Sequence, residues 1–592
     1  MVVPNDSSST CLDNVPLTEK AAFVELDSLF VNVDSKAWSE RACDRALTIL
    51  QRHPRLWSLR MGPSRQKPLH LFLLSPAASR LDAIQAIRGM MTEEEDLKRT
   101  DETALHSACK SRYASDQVIQ FIFENTNPLA RVHCNAQGMP PLVYLFMDPN
   151  GTGRSSPNLS ALKLLLQASP ELVKANHPSS GKDQDLLAVA MSLGCSSDVY
   201  NVLWEYYPEG QQSFRLCSDY HAGPDRLDMP EAQVLCQMLP HLNTLVCQPQ
   251  QWATAQAMDT LCQHMATNTT ITELDISLSS DTMTPESCQL WTHMLQANTT
   301  LTKLKIHAET HQMVQLPGRR VVKTFRSLVS NHDDDSTLLQ SILQGLSQNQ
   351  SLQELELSCF KFPSTALPDT LQQTPPSAPL TTLQLTHCYM PSYQWLSPLL
   401  TPSLQQLTMS FRQEPKAPKP QDMTDTLVHI LDHCSCLRSL HVGKHDPSVL
   451  GGVATRVDDV LKALQRNTSL QTLAIHSLLE QTRHKQHLEH ILQRGGNTTL
   501  QELPYPSFGE CLYSSWEDCE DGNPEALGRI PYYLLWNRFG RHRVQHQGDC
   551  TKPKLVELVG CVNEASTEEL PRIYQQDILF DLLLETPGVW AC

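Results

Sequence analysis

Asn298-Thr-Thr-Leu-Thr-Lys-Leu-Lys-Ile306 decides the fold of this chain. Leu301, Leu304 and Ile306 fall where a short strand would turn them to one face, with polar residues between. The pattern returns as Asn268-Thr-Thr-Ile-Thr-Glu-Leu-Asp-Ile276, Asn349-Gln-Ser-Leu-Gln-Glu-Leu-Glu-Leu357, Asn467-Thr-Ser-Leu-Gln-Thr-Leu-Ala-Ile475 and Asn497-Thr-Thr-Leu-Gln-Glu-Leu503. Versions without the Asn occur around Leu242, Leu380, Leu404 and Leu437. The first apolar position falls at 242, 271, 301, 352, 380, 404, 437, 470 and 500, so the period is about 30 residues with one step of 51. Residues ahead of each strand have helical spacing, as in Leu290, Met294, Leu295 and in Val457, Val460, Leu461, Leu464. One strand and one helix cannot close a core alone, so neighbours must stack. The expectation is an α/β solenoid of parallel strands plus helices over residues 235–510.

This pattern resembles the leucine-rich repeat family, in its ribonuclease-inhibitor-like subtype, which implies a horseshoe with a helix in every repeat. The 51-residue step holds either a degenerate repeat near Val321 to Leu328 or an insertion carrying Asp333-Asp334-Asp335. All five Asn residues stand in Asn-x-Ser/Thr sequons, which in a secreted chain would suggest glycosylation. Each also follows a helical segment, where a residue tolerating the left-handed conformation ends a helix. The periodic cap explains all five, and the structural reading is preferred.

The N-terminal third carries a different repeat. Thr103-Ala-Leu-His-Ser-Ala108 opens an apolar helix pair, and Lys67-Pro-Leu-His70, Pro141-Leu142-Val143 and Asp185-Leu186-Leu187 restart the scheme. An amphipathic helix within residues 36–60 precedes them. The tetrad resembles the ankyrin repeat motif, Thr-Pro-Leu-His-x-Ala, which implies an all-α ankyrin-like array over residues 21–206. Its Leu positions, 69, 105, 142 and 186, are spaced more widely than the family's roughly 33 residues, which implies inserted loops. His70 and His106 are candidate bases. In the resembled repeat such a His bonds backbone at the helix-start turn, a structural role.

Residues 1–20 are polar and expected to be disordered, and residues 207–234 to be a junction. Pro363 to Pro379 and Arg412 to Gln421 read as connecting loops rather than polyproline ligands. Beyond 510 the period stops, and residues 511–592 are expected to cap the solenoid. Within them Ile530 to Arg543 is aromatic and basic, as single-strand nucleic acid binding requires. An open solenoid end must also be covered, and the cap is the preferred reading. The run Tyr532-Tyr-Leu-Leu-Trp-Asn-Arg-Phe-Gly-Arg541 is similar to the end of uncharacterised algal leucine-rich repeat proteins, which implies no activity.

Charge and chemistry narrow the function. Lys plus Arg is 47 against 64 Asp plus Glu, a net charge of −17, which disfavours nucleic acid and anionic membrane as partners. No basic-then-apolar leader opens the sequence and no apolar run is long enough for a span, so a cytoplasmic or nuclear chain is expected. The 19 Cys suit reduced, buried thiols. Ser180-Gly181-Lys182-Asp183 is not a phosphate loop, and hydrolase and kinase signatures are missing. His433-Cys434-Ser-Cys436 and the trio His484, His487, His490 are the best metal candidates, and structural roles are preferred for both. No catalytic residue, cofactor, metal or small-molecule substrate is therefore expected.

What remains is the concave strand face. Strand neighbours about 4.8 Å apart would place Glu273, Asp275 and Ser277 beside Lys303, Lys305 and His307, with Glu354 and Glu356 next if the long step adds no strand. These acid-base-acid rows are either a docking site or a lattice that neutralises itself. Gln406, Thr408, His441 and His476 form a nearly uncharged face suited to hydrogen bonding. The expected function is a non-enzymatic protein–protein interaction scaffold or adaptor for an unidentified protein partner. The alternative is a regulator of an enzyme, resembling leucine-rich GTPase activators or inhibitors.

Overall fold

The computed structural model describes residues 19–503 apart from 31–39, 60–66, 89–101, 136–138, 148–155, 175–184, 208–211, 218–225, 249–250, 253, 279–282, 309–310, 315–321, 326–333, 361, 364–367, 369–376, 389, 391–392, 412–422, 445–455, 476–481 and 495. Beyond 503 it describes 529–538, 541, 559–560, 562 and 576–580. The expected disordered start, the Pro-rich Arg412 to Gln421 stretch, His476, and most of residues 511–592 lie outside the described residues. The chain forms two compact units, residues 1–261 and 262–592.

The first unit is mainly helical. Its helices include α1 (Lys20–Phe30), α2 (Glu40–Arg52), α3 (Pro68–Leu74), α4 (Leu81–Arg88), α5 (Ala104–Lys110), α6 (Asp116–Glu124), α7 (Leu159–Ala168), α8 (Leu186–Ser192) and α9 (Ser197–Glu205). The recurring Leu69, Leu105, Leu142 and Leu186 are all buried. Pro141–Leu145 is a 3-10 turn where the pattern suggests a helix.

Local chemistry fixes these helix starts. Thr103 and His106 form a reciprocal cap, with the Thr103 N–H donating to His106 Nδ1 at 3.0 Å. His106 Nε2 donates to the Met139 carbonyl at 3.0 Å and so ties one helix-start turn to the next. His70 Nδ1 meets the hydroxyl of Ser107 at 2.8 Å. Asp185 Oδ1 accepts from Ala188 N at 2.8 Å and caps α8, while Tyr207 donates its hydroxyl to Asp185 Oδ2.

The stretch 207–234, expected to be a junction, holds strand β1 (Ser213–Cys217) and the start of helix α10 (Met229–Met238). β1 pairs in parallel with β2 (Thr244–Gln248), Phe214 opposite Leu245. Only Phe214 and Leu216 carry the strand pattern, too little to stand out in the sequence.

The second unit is a repeat solenoid of parallel strands and helices. Strands β3 (Glu273–Leu278), β4 (Lys303–Ala308), β5 (Glu354–Ser358), β6 (Thr382–Cys388), β7 (Gln406–Phe411), β8 (Ser439–Lys444) and β9 (Thr472–Ile475) lie in chain order. Their register aligns Leu274, Leu304, Leu355, Leu383, Leu407, Leu440 and Leu473 in one buried row. The opening apolar positions, from Ile271 and Leu301 to Leu470 and Leu500, are fully buried.

The long step resolves as an insertion. β4 pairs directly with β5, Lys303 opposite Glu354, and the intervening His311–Val314 and Val322–Phe325 form a separate antiparallel pair. The next helix, α12 (Asp334–Leu346), packs on α11 (Pro285–Ala297). At Gly345 the contact is so close that a Cβ would fall 2.7 Å from Leu295 Cβ.

The Asn residues act by a mechanism other than the one the spacing suggests. Asn298 and Asn467 have φ −75° with ψ 122° and 128°, extended rather than left-handed. Their side chains do the work. Asn298 Nδ2 donates to the carbonyls of Met265 at 2.7 Å and Asn268 at 3.2 Å in the preceding repeat. Its Oδ1 accepts from Leu301 N at 2.7 Å and Thr300 N at 3.0 Å. Asn349 repeats this with Leu295 and Asn298 behind it and Leu352 and Ser351 ahead. Asn467 and Asn497 follow suit, reaching Leu431 at 2.8 Å and Leu464 at 2.8 Å. The carbonyls reached on Met265, Leu295, Leu431 and Leu464 belong to last helical turns; those of Met265 and Leu464 also accept a long local bond, from Asn268 N at 3.3 Å and Asn467 N at 3.2 Å. Buried and fully engaged, these amides are inaccessible to glycosylation in the folded chain. Where the Asn is missing, Ser377 and Thr401 stand in its place, their hydroxyls reaching the Ser347 carbonyl at 2.9 Å and the Leu380 carbonyl at 3.0 Å. Cys434 fills the third such position as a buried thiol.

Past the last repeat, helix α16 (Ile530–Arg538) packs on α15 (Thr482–Gln493). Asn537 Nδ2 donates to the carbonyls of Leu500 at 2.7 Å and Asn497 at 3.2 Å. Arg541, only 2% exposed, donates to the carbonyl of Leu492 at 2.6 Å and lies over the Trp536 ring. These aromatic and basic groups are consumed within the unit.

Two outcomes follow from these contacts. Asn349→Ala strands two N–H groups and two carbonyls in the interior and lowers stability by about 3 kcal/mol in urea unfolding. Asn268→Ala, at a half-buried position, costs less. An equal effect at both sites would refute the inter-repeat role. His106, pushed down to about 4 by burial, stays neutral when folded. The unfolded chain takes up this proton below about pH 6.5, so stability is full above that value and falls by on the order of 3 kcal/mol toward pH 4. Unfolding midpoints at pH 7 and pH 5 should therefore converge in His106→Gln relative to the parent chain.

Candidate functional site: the open face of the strand sheet

Residues that alternate with the buried rows stand on the open face of the second unit's sheet. The register places Glu273, Lys303, Glu354, Thr382, Gln406, Ser439 and Thr472 in one row. Asp275, Lys305, Glu356, Gln384, Thr408, His441 and Ala474 form the next. Thus every expected face residue among those described falls in register.

The charged end of this face is internally paired. Lys303 Nζ lies 3.2 Å from Glu273 and 3.5 Å from Glu354, and its ammonium is held above the ordinary lysine range by those carboxylates against the opposing effect of desolvation. Lys305 lies 3.3 Å from Glu356. His307 Nε2 is 3.0 Å from Asp275 Oδ1, where burial leaves the two side chains 20% and 13% exposed. Of the two readings the rows allowed, the self-neutralising lattice is the one the distances carry.

From β6 onward the face changes character. Thr382, Gln384, Gln406, Thr408, Ser439 and His441 present hydroxyl, amide and imidazole groups without a formal charge among them. His441 is half-buried, and desolvation lowers its pKa below the usual histidine range, with Glu502 pulling the other way. The neutral imidazole therefore predominates at neutral pH. Sequence reading passed over Thr382, Gln384 and Ser439 on these rows, and further contributors besides. Ser358 and Thr386 are in direct hydroxyl contact across β5 and β6, and Glu502 extends the first row by a single bridge to Thr472. The Ser358–Thr386 contact had no signal beyond alternation.

The metal candidates are placed otherwise. His433 Nδ1 meets the His429 carbonyl at 3.0 Å, with the two rings stacked. His487 pairs with Asp458 at 3.1 Å, while His484 is buried beside Arg483. Among the described residues no group of three His, Cys, Asp or Glu is arranged to hold a metal, and no helix is long and apolar enough to cross a membrane.

Comparison with known proteins adds little. No family model matches the chain, and no curated protein matches it. Among solved structures, a chain of the yeast Rad7 and Elc1 complex is similar over 62% of this chain and 91% of that one, at 14% identity and a TM-score of 0.29. A likeness this weak carries no functional argument.

The lattice has a measurable signature. Lys305→Met removes one half-exposed ion pair and lowers stability by about 0.5–1 kcal/mol at low salt, the difference shrinking at high ionic strength. A loss above about 3 kcal/mol, or one indifferent to salt, would mean the lysine is a buried structural ion rather than part of a surface lattice.

Proposed function

We propose that this chain is a non-enzymatic protein-interaction scaffold of the cytosol or nucleus. In this reading the second unit is a leucine-rich repeat solenoid of the ribonuclease-inhibitor-like subtype, and the helical array of the first unit is ankyrin-like. The observation that carries the proposal is the open sheet face itself. Its backbone is fixed by strand pairing on both sides, and its side chains stand in register as hydrogen-bond donors and acceptors. A rigid platform loses little conformational entropy when a partner docks.

The neutral strip formed by Gln384, Gln406, Thr408 and His441 is the contact region in this proposal. Its groups have no charge to desolvate, whereas the Lys303 and Lys305 lattice is already satisfied. The regulator alternative would rely on those lysines to meet an enzyme's acidic site, yet Glu273, Glu354 and Glu356 already hold them. No observation favours it over the scaffold.

Affinity capture with the full chain, followed by mass spectrometry, is the test. A discrete protein recovered by the parent chain and lost from the Gln406→Arg/Thr408→Arg variant supports the reading. The same partner retained by a correctly folded variant removes the strip from the interface. Turnover of a small molecule by the purified chain would remove the scaffold function.

A further inference from the structure

The turn after β5 and the turn inside the end of β6, where its register with β7 shifts, share an unusual backbone. Cys359 has φ 63° and His387 has φ 54°, both in the left-handed region, where residues with a side chain are uncommon. The two turns are adjacent, since Ser358 is the register partner of Thr386 and the Cys359 N–H donates to the Thr386 carbonyl at 2.8 Å. After its left-handed step β6 turns Cys388 into the interior, with its sulfur 3.3 Å from the Leu357 carbonyl. The N–H groups of Phe360 and Cys359 face the same sulfur. The thiol of Cys388 is therefore lodged against the backbone that carries Cys359. Cys359 stands one residue and Cys388 two residues beyond the Ser358–Thr386 register pair, on strands about 4.8 Å apart, and a disulfide bridges Cα atoms roughly 4.4–6.8 Å apart.

We propose that Cys359 and Cys388 form a reversible dithiol–disulfide pair that hydroperoxides close. The two sulfurs differ in a way that orders the steps. Cys359 is partly exposed, whereas Cys388 is fully buried and its thiol is pushed up to about 12 by desolvation. Cys359 sulfur attacks the peroxide oxygen, the O–O bond breaks, and the thiol becomes a sulfenic acid as the peroxide leaves as water or an alcohol. Cys388 sulfur then attacks the Cys359 sulfur, the S–O bond breaks, and hydroxide leaves as water with the Cys388 proton. In sum two thiols are oxidised by two electrons and one hydroperoxide is reduced. A dithiol reductant reverses the change by exchange. Closure would tie the ends of β5 and β6 together beside the Ser358–Thr386 hydroxyl pair, at the junction between the charged lattice and the neutral strip.

The full chain is treated with hydrogen peroxide, alkylated without reduction, digested and mapped by mass spectrometry. The expected product is a peptide pair joining Cys359 to Cys388, lighter by two hydrogen atoms than the separate peptides and lost after dithiothreitol. Cys388→Ser should leave a sulfenic acid on Cys359 that a dimedone-type probe traps, and Cys359→Ser should abolish both products. Full alkylation of both thiols after peroxide, or a bridge from Cys359 to any other cysteine, overturns the proposal. Mapping the unsubstituted chain decides the matter even where a variant fails to fold.

Discussion

The second unit depends on one constraint: every helix of a stacked repeat ends in carbonyls that its own helix cannot satisfy. With the next repeat packed against them, those carbonyls are removed from water and must find donors in protein. A primary amide is suited to this position because it donates twice and accepts twice. Asn298, Asn349 and Asn497 use both hydrogens on the repeat behind and the oxygen on their own strand entry. Each turn is thereby fastened to its neighbour by directional bonds, while the leucine rows supply burial without direction. Ser377 and Thr401 have one hydrogen each, so the middle repeats hold their neighbours with fewer bonds.

This division explains what the sequence could disclose. Leucine spacing is a local signal, and it located β3 to β9 and the inward rows because a strand's alternation is written within six residues. The Asn was visible as a period, but its reach of 33 residues to Met265 or 54 residues to Leu295 was not, since that contact exists only after stacking. The left-handed cap was a reasonable inference from position and failed because the side chain, not the backbone, solves the problem. β1 was missed for a related reason: Phe214 and Leu216 stand without an Asn before them. In the first unit the Thr103–His106 cap was readable because donor and acceptor are three residues apart, whereas the bond from His106 to Met139 spans an inserted loop.

The open face shows the same limit from the other side. Pairing Glu273 with Lys303 and Lys305 with Glu356 required only the register, which the repeat supplied once β4 was known to neighbour β5. Whether the pairs leave cations free for a partner is a matter of distance and exposure. At 3.2–3.5 Å and about one-third exposed, Lys303 is shared between two carboxylates. A partner seeking that ammonium would have to break existing contacts, so specificity is better sought on the uncharged rows of β6 to β8.

The end of the solenoid shows that the constraint is chemical rather than tied to one motif. Among the described residues no further strand follows the repeat of Asn497, and a helix of different sequence meets the need of its carbonyls. Asn537 donates to Asn497 and Leu500, as a following repeat's Asn would donate backward. Arg541 serves the carbonyls of Leu492 and Gln493, at the terminus of α15 where the helix dipole favours a cation. A guanidinium buried this deeply is costly unless its N–H groups are occupied, and helix-end carbonyls in need of donors occupy Nη1 and Nη2. Within this basic, aromatic segment Asn537 and Arg541 are thus engaged by a row of carbonyls, with Trp536 lying against the Arg541 charge.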